Sequence, residues 1–256
     1  MITAGIDIGS VSTKAAVLSE GKLLGTRVIF TGYNAEVAGR RAFEDLLKEL
    51  GLEHSAVRRV ISTGYGRNSV RFVDKAVTEI TCHGAGAHYL DPRVRSIIDI
   101  GGQDSKAIVI DQKGKVKNFA MNDKCAAGTG RFLEVMARAL EVDLEGFGAL
   151  SLKARNPSKI SSLCTVFAES EVISLISGGE GRENIIAGIH ESIAARVGAM
   201  ANRVGMVPPL VMTGGVAKNA GVVRALEKKL GISIRVSQYA QVNGAIGAAV
   251  LAAALR

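Results

Sequence analysis

The chain has 256 residues and carries 32 lysines and arginines against 24 aspartates and glutamates, a formal net charge of +8. Hydrophobic residues make up 47% of the sequence and charged residues 22%, which excludes a disordered chain, a coiled coil and a disulfide-stapled miniprotein. The length allows one or two domains with a sizeable core, and aromatic residues at only 4% indicate that this core is aliphatic.

The charge, the cysteines and the apolar stretches predict a cytoplasmic protein that binds neither nucleic acid nor membrane. The basic residues come in scattered pairs with few aromatics among them, which favours an acidic partner or an anionic ligand over nucleic acid, although a solvated basic surface explains the charge equally well. Three cysteines form no disulfide framework, and the first nine residues are typical of a strand rather than a leader. The longest apolar stretch, residues 245–255, is far shorter than the ~20 residues of a membrane span.

A sequence repeat divides the chain into two halves. Residues 6–18 and 98–110 each predict two strands joined by a glycine turn, and a Gly-Lys turn before a third strand completes a β-meander. Helical patterns follow at residues 36–50, 130–140 and 185–204. Two coincidentally similar hairpins are the alternative, but hairpins need neither the shared aspartate nor the shared lysine. The identical pairs are Ile6/Ile98, Asp7/Asp99, Ile8/Ile100, Gly9/Gly101, Lys14/Lys106, Ala15/Ala107 and Val17/Val109.

Each half presents Asp-x-Gly at a turn between two strands, an arrangement that suits phosphate binding. Glycine at the turn lets backbone N–H groups approach phosphate oxygens closely. The aspartate at the strand end can hold a hydrated Mg²⁺, and the lysine seven residues later can neutralise phosphate charge. Two such halves predict a ligand clamped between two lobes.

A third glycine-rich segment, residues 213–219, follows the apolar run 210–212 and predicts a strand, a Gly-Gly turn and a helix N-terminus. In this order the three segments resemble the phosphate-1, phosphate-2 and adenosine motifs of the actin, sugar-kinase and heat-shock chaperone superfamily. Residues 241–249 resemble its connecting helix, in which small residues let helices cross closely. The resemblance implies an α/β ATPase fold of two duplicated lobes with an ATP cleft between them. We expect lobe I at residues 1–94 plus 240–256 and lobe II at residues 95–239.

Two of the three cysteines, Cys125 and Cys164, precede or begin helical patterns, where the helix dipole stabilises a thiolate. Two thiolates are too few for a four-cysteine site, and no histidine near them in sequence completes a zinc site. A two-fold dimer supplies the four thiolates that an iron–sulfur cluster requires. Inert cysteines are the alternative, which spacing alone favours. Cys82, His83 and His88 are also potential metal ligands, but a structural role is the better interpretation.

The sequences around these cysteines resemble one particular family. Residues 122–134, 160–172 and 212–219, with 64–68 and 79–83, are similar to the activator component of 2-hydroxyacyl-CoA dehydratases. This family also includes the ATPase subunits of benzoyl-CoA reductase.

The resemblance implies a homodimer, with one ATP site per subunit and one bridging 4Fe–4S cluster held by Cys125 and Cys164 of each chain. ATP hydrolysis then drives one electron, from a donor such as ferredoxin or flavodoxin, to the iron–sulfur component of a dehydratase or reductase. In the dehydratase, that electron makes a ketyl radical of the hydroxyacyl thioester.

Roles for individual residues follow from this resemblance and from the chemistry of the loops. Asp7 and Asp99 are expected to bind Mg²⁺ directly or through water, and Gln103 or Asp104 to orient the attacking water. The first loop departs from the commoner Gly-Ser-Thr order, so the hydroxyl that faces the phosphates stays open. The expected contacts to ATP or ADP are Gly9, Ser10, Val11, Ser12, Thr13, Lys14, Gly101, Gly102, Gln103, Thr129, Gly214, Gly215, Lys218, Asn219 and Gln241.

Three alternative functions remain. One is the ATPase subunit of a benzoyl-CoA reductase-type enzyme. Another is a small-molecule kinase of the same superfamily, which needs a substrate-binding insertion for which 256 residues leave little room. The last is a nucleotide-binding regulatory or scaffolding protein, in which the cysteines are inert.

Overall fold

A computed structural model describes residues 1–161 and 164–255 of the chain. Residues 162 and 163, inside the motif around Cys164, lie outside the described residues. The chain divides into two compact units, and the lobe boundaries expected from the sequence stay a prediction. Unit 1 comprises Met1–Ile97, Ile108–Asn118 and Gln238–Arg256, and unit 2 comprises Ile98–Ala107 and Phe119–Ser237.

In each half of the described chain three strands come first and helices follow, as the sequence pattern predicts. The predicted helices at 36–50, 130–140 and 185–204 are confirmed as α1, α3 and α6 below. The strands are β1 (Ile2–Ile8), β2 (Ser12–Ser19), β3 (Lys22–Phe30), β4 (Val57–Thr63), β5 (Lys75–Ala76), β6 (Ser96–Ile100), β7 (Ser105–Ile110), β8 (Val116–Asn122), β9 (Leu210–Thr213) and β10 (Ile234–Val236). The helices are α1 (Ala35–Leu50), α2 (Glu79–Leu90), α3 (Gly130–Ala139), α4 (Leu144–Ser151), α5 (Thr165–Ser177), α6 (Arg182–Val204), α7 (Ala220–Leu230) and α8 (Asn243–Ala253).

Two five-stranded sheets repeat one topology. The first sheet has the order β3-β2-β1-β4-β5, in which β1, β2 and β3 are antiparallel and β4 runs parallel to β1. The second has the order β10-β9-β6-β7-β8, the same order when β6 is matched to β1. The duplication predicted from the repeat is therefore confirmed, and the first β-meander pairs Asp7 directly with Lys14.

Helix packing in unit 1 depends on small residues, as the sequence of the connecting helix predicts. A Cβ atom at Gly247 of α8 would collide with the carbonyl oxygen of Cys82 in α2, and one at Gly86 would collide with that of Asn243. The backbones of α2 and α8 therefore approach each other at positions where larger residues do not fit.

Most side chains of the core are aliphatic, as the composition predicts. On the side of the first sheet opposite α8, α1 buries Phe43 and Leu46 against Ile6 and Ile8.

Within residues 1–161 and 164–255, no helix has the length and apolar character that crossing a bilayer requires.

Candidate functional site

The first phosphate loop lies in unit 1 between β1 and β2. The amide of Gly9 donates to the carbonyl of Ser12 at 3.1 Å, which closes the turn. Asp7, 7% exposed, is the penultimate residue of β1, and its Oδ2 lies 3.7 Å from Nζ of Lys14. This spacing is longer than a direct hydrogen bond, so the carboxylate and the ammonium group keep capacity for a ligand between or beside them.

The hydroxyl groups of this loop differ in their surroundings. Thr13 is buried, and its Oγ1 lies 2.9 Å from that of Thr31, which in turn donates to the carbonyl of Gly9 at 2.8 Å. Ser10 and Ser12 are half-buried instead. The geometry therefore favours the two serines over Thr13 as hydroxyls available to a phosphate group.

The second phosphate loop lies in unit 2 and closes in the same way. The amide of Gly101 donates to the carbonyl of Asp104 at 2.9 Å, the counterpart of the bond at Gly9. Lys106, aligned with Lys14, is 1% exposed, and its Nζ lies 3.0 Å from Oδ2 of Asp99 and 2.8 Å from Oδ1 of Asp104. The two repeats thus use their lysines differently, because Lys106 is committed to a buried ion pair.

Asp99 also has a partner that the sequence reasoning missed. Thr213, at the end of β9, donates its hydroxyl to Oδ1 of Asp99 at 2.8 Å. Both carboxylate oxygens are therefore held by protein donors, and the remaining lone pairs point in fixed directions. Thr213 directly follows the apolar run of a predicted strand, and this position was the signal that could have been used. The contact forms because β9 lies beside β6 in the sheet, so that Thr213 comes next to Asp99. Gln103 in the same loop is exposed.

The start of α3 is hydrogen-bonded to the second phosphate loop. The amide of Gly130 donates to the carbonyl of Gly101 at 2.9 Å, and the amide of Arg131 donates to that of Gly102 at 2.8 Å. A Cβ atom at Gly130 would lie 3.0 Å from the Gly101 oxygen, so glycine permits this approach. Two of the helix's free N–H groups are satisfied by the loop, and any shift of the loop acts directly on α3.

The adenosine motif begins with a glycine that no other residue replaces easily. Gly214 has φ of 86°, and a Cβ atom there would collide with the carbonyl oxygen of Ile100 and lie 3.0 Å from Oδ1 of Asp99. Gly215 and Lys218 are exposed, and Asn219 caps α7 by accepting the amide of Val222 at 3.1 Å.

Two of the expected nucleotide contacts, Thr129 and Gln241, are not part of the three glycine-rich loops. Thr129 is buried and donates its hydroxyl to the carbonyl of Ala126 at 2.6 Å. Gln241 is half-buried in the short 3-10 helix Ala240–Val242 of unit 1. The contact expected at Thr129 therefore requires that its hydroxyl also serve the turn before α3.

Replacing Gly214 with alanine is expected to lower the free energy of unfolding by about 1–3 kcal/mol from backbone strain alone, with more from the collision at Ile100. Gly215→Ala is the matched control, because nothing lies within 4 Å of a Cβ atom there and its φ is not positive. Urea unfolding of both variants measures the difference. Equal stability of the two variants would contradict the close approach of Gly214 to β6.

Cys125 and Cys164 are both accessible, but only Cys164 begins a helix. Cys164 is exposed and is the N-cap of α5, where the helix dipole acts. Cys125 is half-buried in the loop between β8 and α3, so it precedes the helix, as predicted, but does not cap it. The dipole effect falls off beyond the first turn and is therefore weaker at Cys125 than at Cys164.

Polar side chains bond to the backbone of Cys125 and of Ser161. The amide Nδ2 of Asn122 donates to the carbonyls of Cys125 at 2.8 Å and Ala127 at 3.3 Å. The carboxylate of Glu171 accepts the amide of Ser161 at 3.0 Å and its hydroxyl at 2.9 Å, three residues before Cys164. Asn122 thus holds the carbonyl of Cys125 itself, whereas Glu171 holds Ser161.

The third cysteine differs from the other two. Cys82 is fully buried in α2, and burial raises the pKa of its thiol to about 12. The adjacent His83 accepts the amide of Asn243 on Nδ1 at 3.2 Å, and a Cβ atom at Gly244 would lie 3.1 Å from its Nε2 and 2.9 Å from Oδ2 of Asp7. His83 thus borders the same space as Asp7. Within the described ranges, no group of three or more His, Cys, Asp or Glu side chains is placed to hold a metal ion.

The paired sheets and glycine loops define an actin-like ATPase fold of the sugar-kinase kind, as predicted. A glucokinase of the ROK family from Streptomyces griseus shares this fold, with a TM-score of 0.62 at 16% identity over all of both chains. The model of the BadF/BadG/BcrA/BcrD ATPase family matches residues 4–252. The chain belongs to this family.

Several relatives resemble the chain over nearly its whole length. The activator of lactoyl-CoA dehydratase from Anaerotignum propionicum is 49% identical over 98% of this chain and 97% of its own. Component A of (R)-2-hydroxyglutaryl-CoA dehydratase from Acidaminococcus fermentans superposes with a TM-score of 0.95 at 47% identity, covering 98% and 97% of the two chains.

Two further relatives bear on nucleotide binding and on the alternative function. The activator of 2-hydroxyisocaproyl-CoA dehydratase from Clostridium difficile, solved with bound ADPNP, gives a TM-score of 0.93 at 45% identity over 98% and 94% of the two chains. A benzoyl-CoA reductase subunit from Thauera aromatica is 36% identical over 97% of this chain and 92% of its own. The resemblance to the activator family and to the reductase subunits is therefore confirmed.

Proposed function

We propose that this chain is the ATP-hydrolysing activator of a 2-hydroxyacyl-CoA dehydratase and passes a low-potential electron to the iron–sulfur component of that enzyme. The observation that carries the proposal is the pair of hydrogen bonds from α3 to the second phosphate loop, because α3 follows the Cys125 loop. The names of the most similar relatives support the choice of a dehydratase as partner.

In this proposal the two aspartates direct Mg²⁺ and the second loop positions water. The carboxylate of Asp7 lies 3.7 Å from the ammonium group of Lys14, too far for a direct hydrogen bond, whereas that of Asp99 is held by Lys106 and Thr213. We assign Asp7 and Asp99 to Mg²⁺, directly or through water, and Gln103 or Asp104 to the attacking water. Carboxylates held in fixed directions stabilise a transferring phosphoryl group without reorganising during the reaction.

The donor set of the chain fits a 4Fe–4S cluster that two chains share. Four thiolates are needed, and the two accessible thiols, Cys125 and Cys164, supply half of them, whereas Cys82 is buried with a raised pKa. When bound, the cluster supplies the one-electron carrier. Asn122 holds the backbone carbonyl of Cys125, and Cys164 lies at the N-cap of α5.

The homodimer that a shared cluster requires has support from the surface of α5. Val166, Phe167 and Ile173 are 65%, 68% and 52% exposed on the helix that Cys164 begins. Large apolar side chains exposed together are typical of an interaction surface. The overall charge of +8 supports an acidic electron donor, which we propose is a ferredoxin or flavodoxin.

The coupling between ATP and the cysteines runs along unit 2 in this proposal. Cleavage of ATP changes the charge in front of Gly101 and Gly102, whose carbonyls accept the first amides of α3. Thr129, the N-cap of that helix, bonds to Ala126 next to Cys125. A displacement of the loop is thus passed through direct hydrogen bonds to the Cys125 segment.

A second candidate function is the ATPase subunit of a benzoyl-CoA reductase-type enzyme, which the similarity to the Thauera aromatica reductase subunit favours. A small-molecule kinase is the weaker alternative. The connection between β3 and α1 consists of residues 31–34 only, which leaves no insertion there for a substrate.

The test is reconstitution under anaerobic conditions. The purified protein, a chemical reductant and MgATP are added to the dehydratase component of a lactoyl-CoA or 2-hydroxyglutaryl-CoA system, and formation of the enoyl-CoA is followed together with ATP consumption. We expect dehydration with ATP and none with ADP. Activation of an aromatic acyl-CoA reductase component alone would favour the second candidate, and ATP hydrolysis without activation of either would contradict both.

A further inference from the structure

A buried histidine lies where α4, α6 and α7 meet in unit 2. His190 of α6 is 1% exposed, and its ring packs edge-on against Phe147 of α4 with centroids 5.6 Å apart. Its Nδ1 lies 3.0 Å from Oγ of Ser151, and its Nε2 lies 3.3 Å from Nδ2 of Asn219. A buried ring with a polar partner on each nitrogen is held in one orientation.

The directions of these hydrogen bonds follow from the number of protons available. Ser151 donates its one hydroxyl proton to the carbonyl of Gly148 at 2.7 Å, so its oxygen accepts from Nδ1–H of His190. Burial lowers the pKa of His190 to about 3, and the neutral ring then has no proton on Nε2. Nε2 therefore accepts from the amide of Asn219, and the bonds run from Asn219 through His190 to the backbone of α4.

The amide group of Asn219 is consequently held at both ends. Its Oδ1 accepts the backbone amide of Val222, while its Nδ2 donates to His190. Asn219 directly follows the short 3-10 helix Gly215–Lys218 and begins α7. The orientation of this one side chain therefore fixes where the glycine turn ends and where α7 starts.

Two glycines make room for the arrangement. A Cβ atom at Gly221 would collide with Oγ of Ser151 and lie 2.5 Å from Nδ1 of His190. One at Gly148 would lie 2.7 Å from Oδ1 of Asn219. Glycine on two separate helices is thus required for the polar groups to meet.

We infer that His190 is a positioning residue of the nucleotide site, which acts through Asn219 to hold the segment 214–219 in the conformation that receives the adenosine of ATP. This inference rests on the proposed function and on the nucleotide contact that the sequence analysis expects at Asn219. A buried histidine that only fills space between three helices would stabilise the fold without affecting nucleotide affinity, and this difference can be measured.

The test compares His190→Phe, which keeps an aromatic ring but removes both ring nitrogens, with the wild type, using the KM for ATP, kcat and calorimetric ADP affinity. We expect a rise of about tenfold in KM and in the ADP dissociation constant, the fold-change of one lost hydrogen bond, with kcat within about threefold. His190→Gln, which retains one donor and one acceptor, is expected to recover part of the affinity. The matched control is Val197→Ala, a fully buried position on the same helix, which should lower stability without changing KM.

A double-mutant cycle with Asn219→Ala identifies the route. If His190 acts through Asn219, adding His190→Phe to Asn219→Ala leaves the KM of the single Asn219 variant unchanged. An unchanged KM in His190→Phe, or independent losses in the cycle, would overturn the inference. If His190→Phe does not fold, Ser151→Ala replaces it with an expected KM rise of about two- to fivefold, and no rise there would equally overturn it. Failure of the wild type to bind ADP would instead count against the proposed function.

Discussion

Replacing Cys125 or Cys164 with serine is expected to abolish the iron–sulfur cluster. Serine is a poor substitute for the thiolate, and each change removes two of the four ligands of a shared cluster. Anaerobically purified wild-type protein should contain about four irons per dimer, and both variants should be colourless with little iron. Iron analysis and visible absorbance measure this outcome.

Cys82→Ser is the matched control for these variants. Cys82 is fully buried beside Thr63, and its thiol pKa of about 12 leaves it protonated at neutral pH. The control variant should keep the full iron content. In cluster-free protein, an alkylating reagent should modify Cys164 and Cys125 before unfolding and Cys82 only afterwards. A complete cluster in Cys164→Ser would remove that residue from the ligand set.

Features that repeat along the chain could be predicted from the sequence. The shared Asp-x-Gly segments predict the two matching sheets. The small residues within 241–249 predict a close helix crossing, and the structure shows α2 as the partner of α8. Each of these features depends on residues that are close in sequence and follow a regular period. The same reasoning placed Cys125 and Cys164 just before or at a helix start, and Cys164 is the N-cap of α5.

The unequal roles of the two repeated lysines could not be predicted in this way. Lys14 and Lys106 occupy the same position in the repeat, yet only Lys106 is buried between two carboxylates, those of Asp99 and Asp104. Asp99 in turn accepts a hydrogen bond from Thr213. Thr213 is 114 residues from Asp99 in sequence, and the order of strands in the sheet brings them together. Sequence periodicity contains no information about such a contact.

A second prediction concerns Asp7 and Asp99, whose lysine partners differ in burial and distance. Asp7→Asn and Asp99→Asn are each expected to lower ATP turnover by at least about tenfold, because the charge directed at Mg²⁺ is removed. Their effects on stability should differ. Asp99→Asn removes one of the two carboxylates beside the buried Lys106 and leaves Asp104 at 2.8 Å, so the loss of stability should stay below the about 3–5 kcal/mol of a fully unpaired buried charge. The loss at Asp7 should be smaller still, because Lys14 is partly exposed at a longer distance.

Lys106→Met separates the two consequences at Asp99. It removes the buried ion pair but keeps the carboxylate, so it should lose stability as Asp99→Asn does while retaining more of the ATP turnover. Turnover is measured per folded molecule, at a urea concentration of zero and a temperature well below each unfolding midpoint. Equal turnover in Lys106→Met and Asp99→Asn would mean that the ion pair, and not the charge on Asp99, is what hydrolysis requires. Wild-type turnover in both asparagine variants would reduce the Asp-x-Gly repeat to a structural turn.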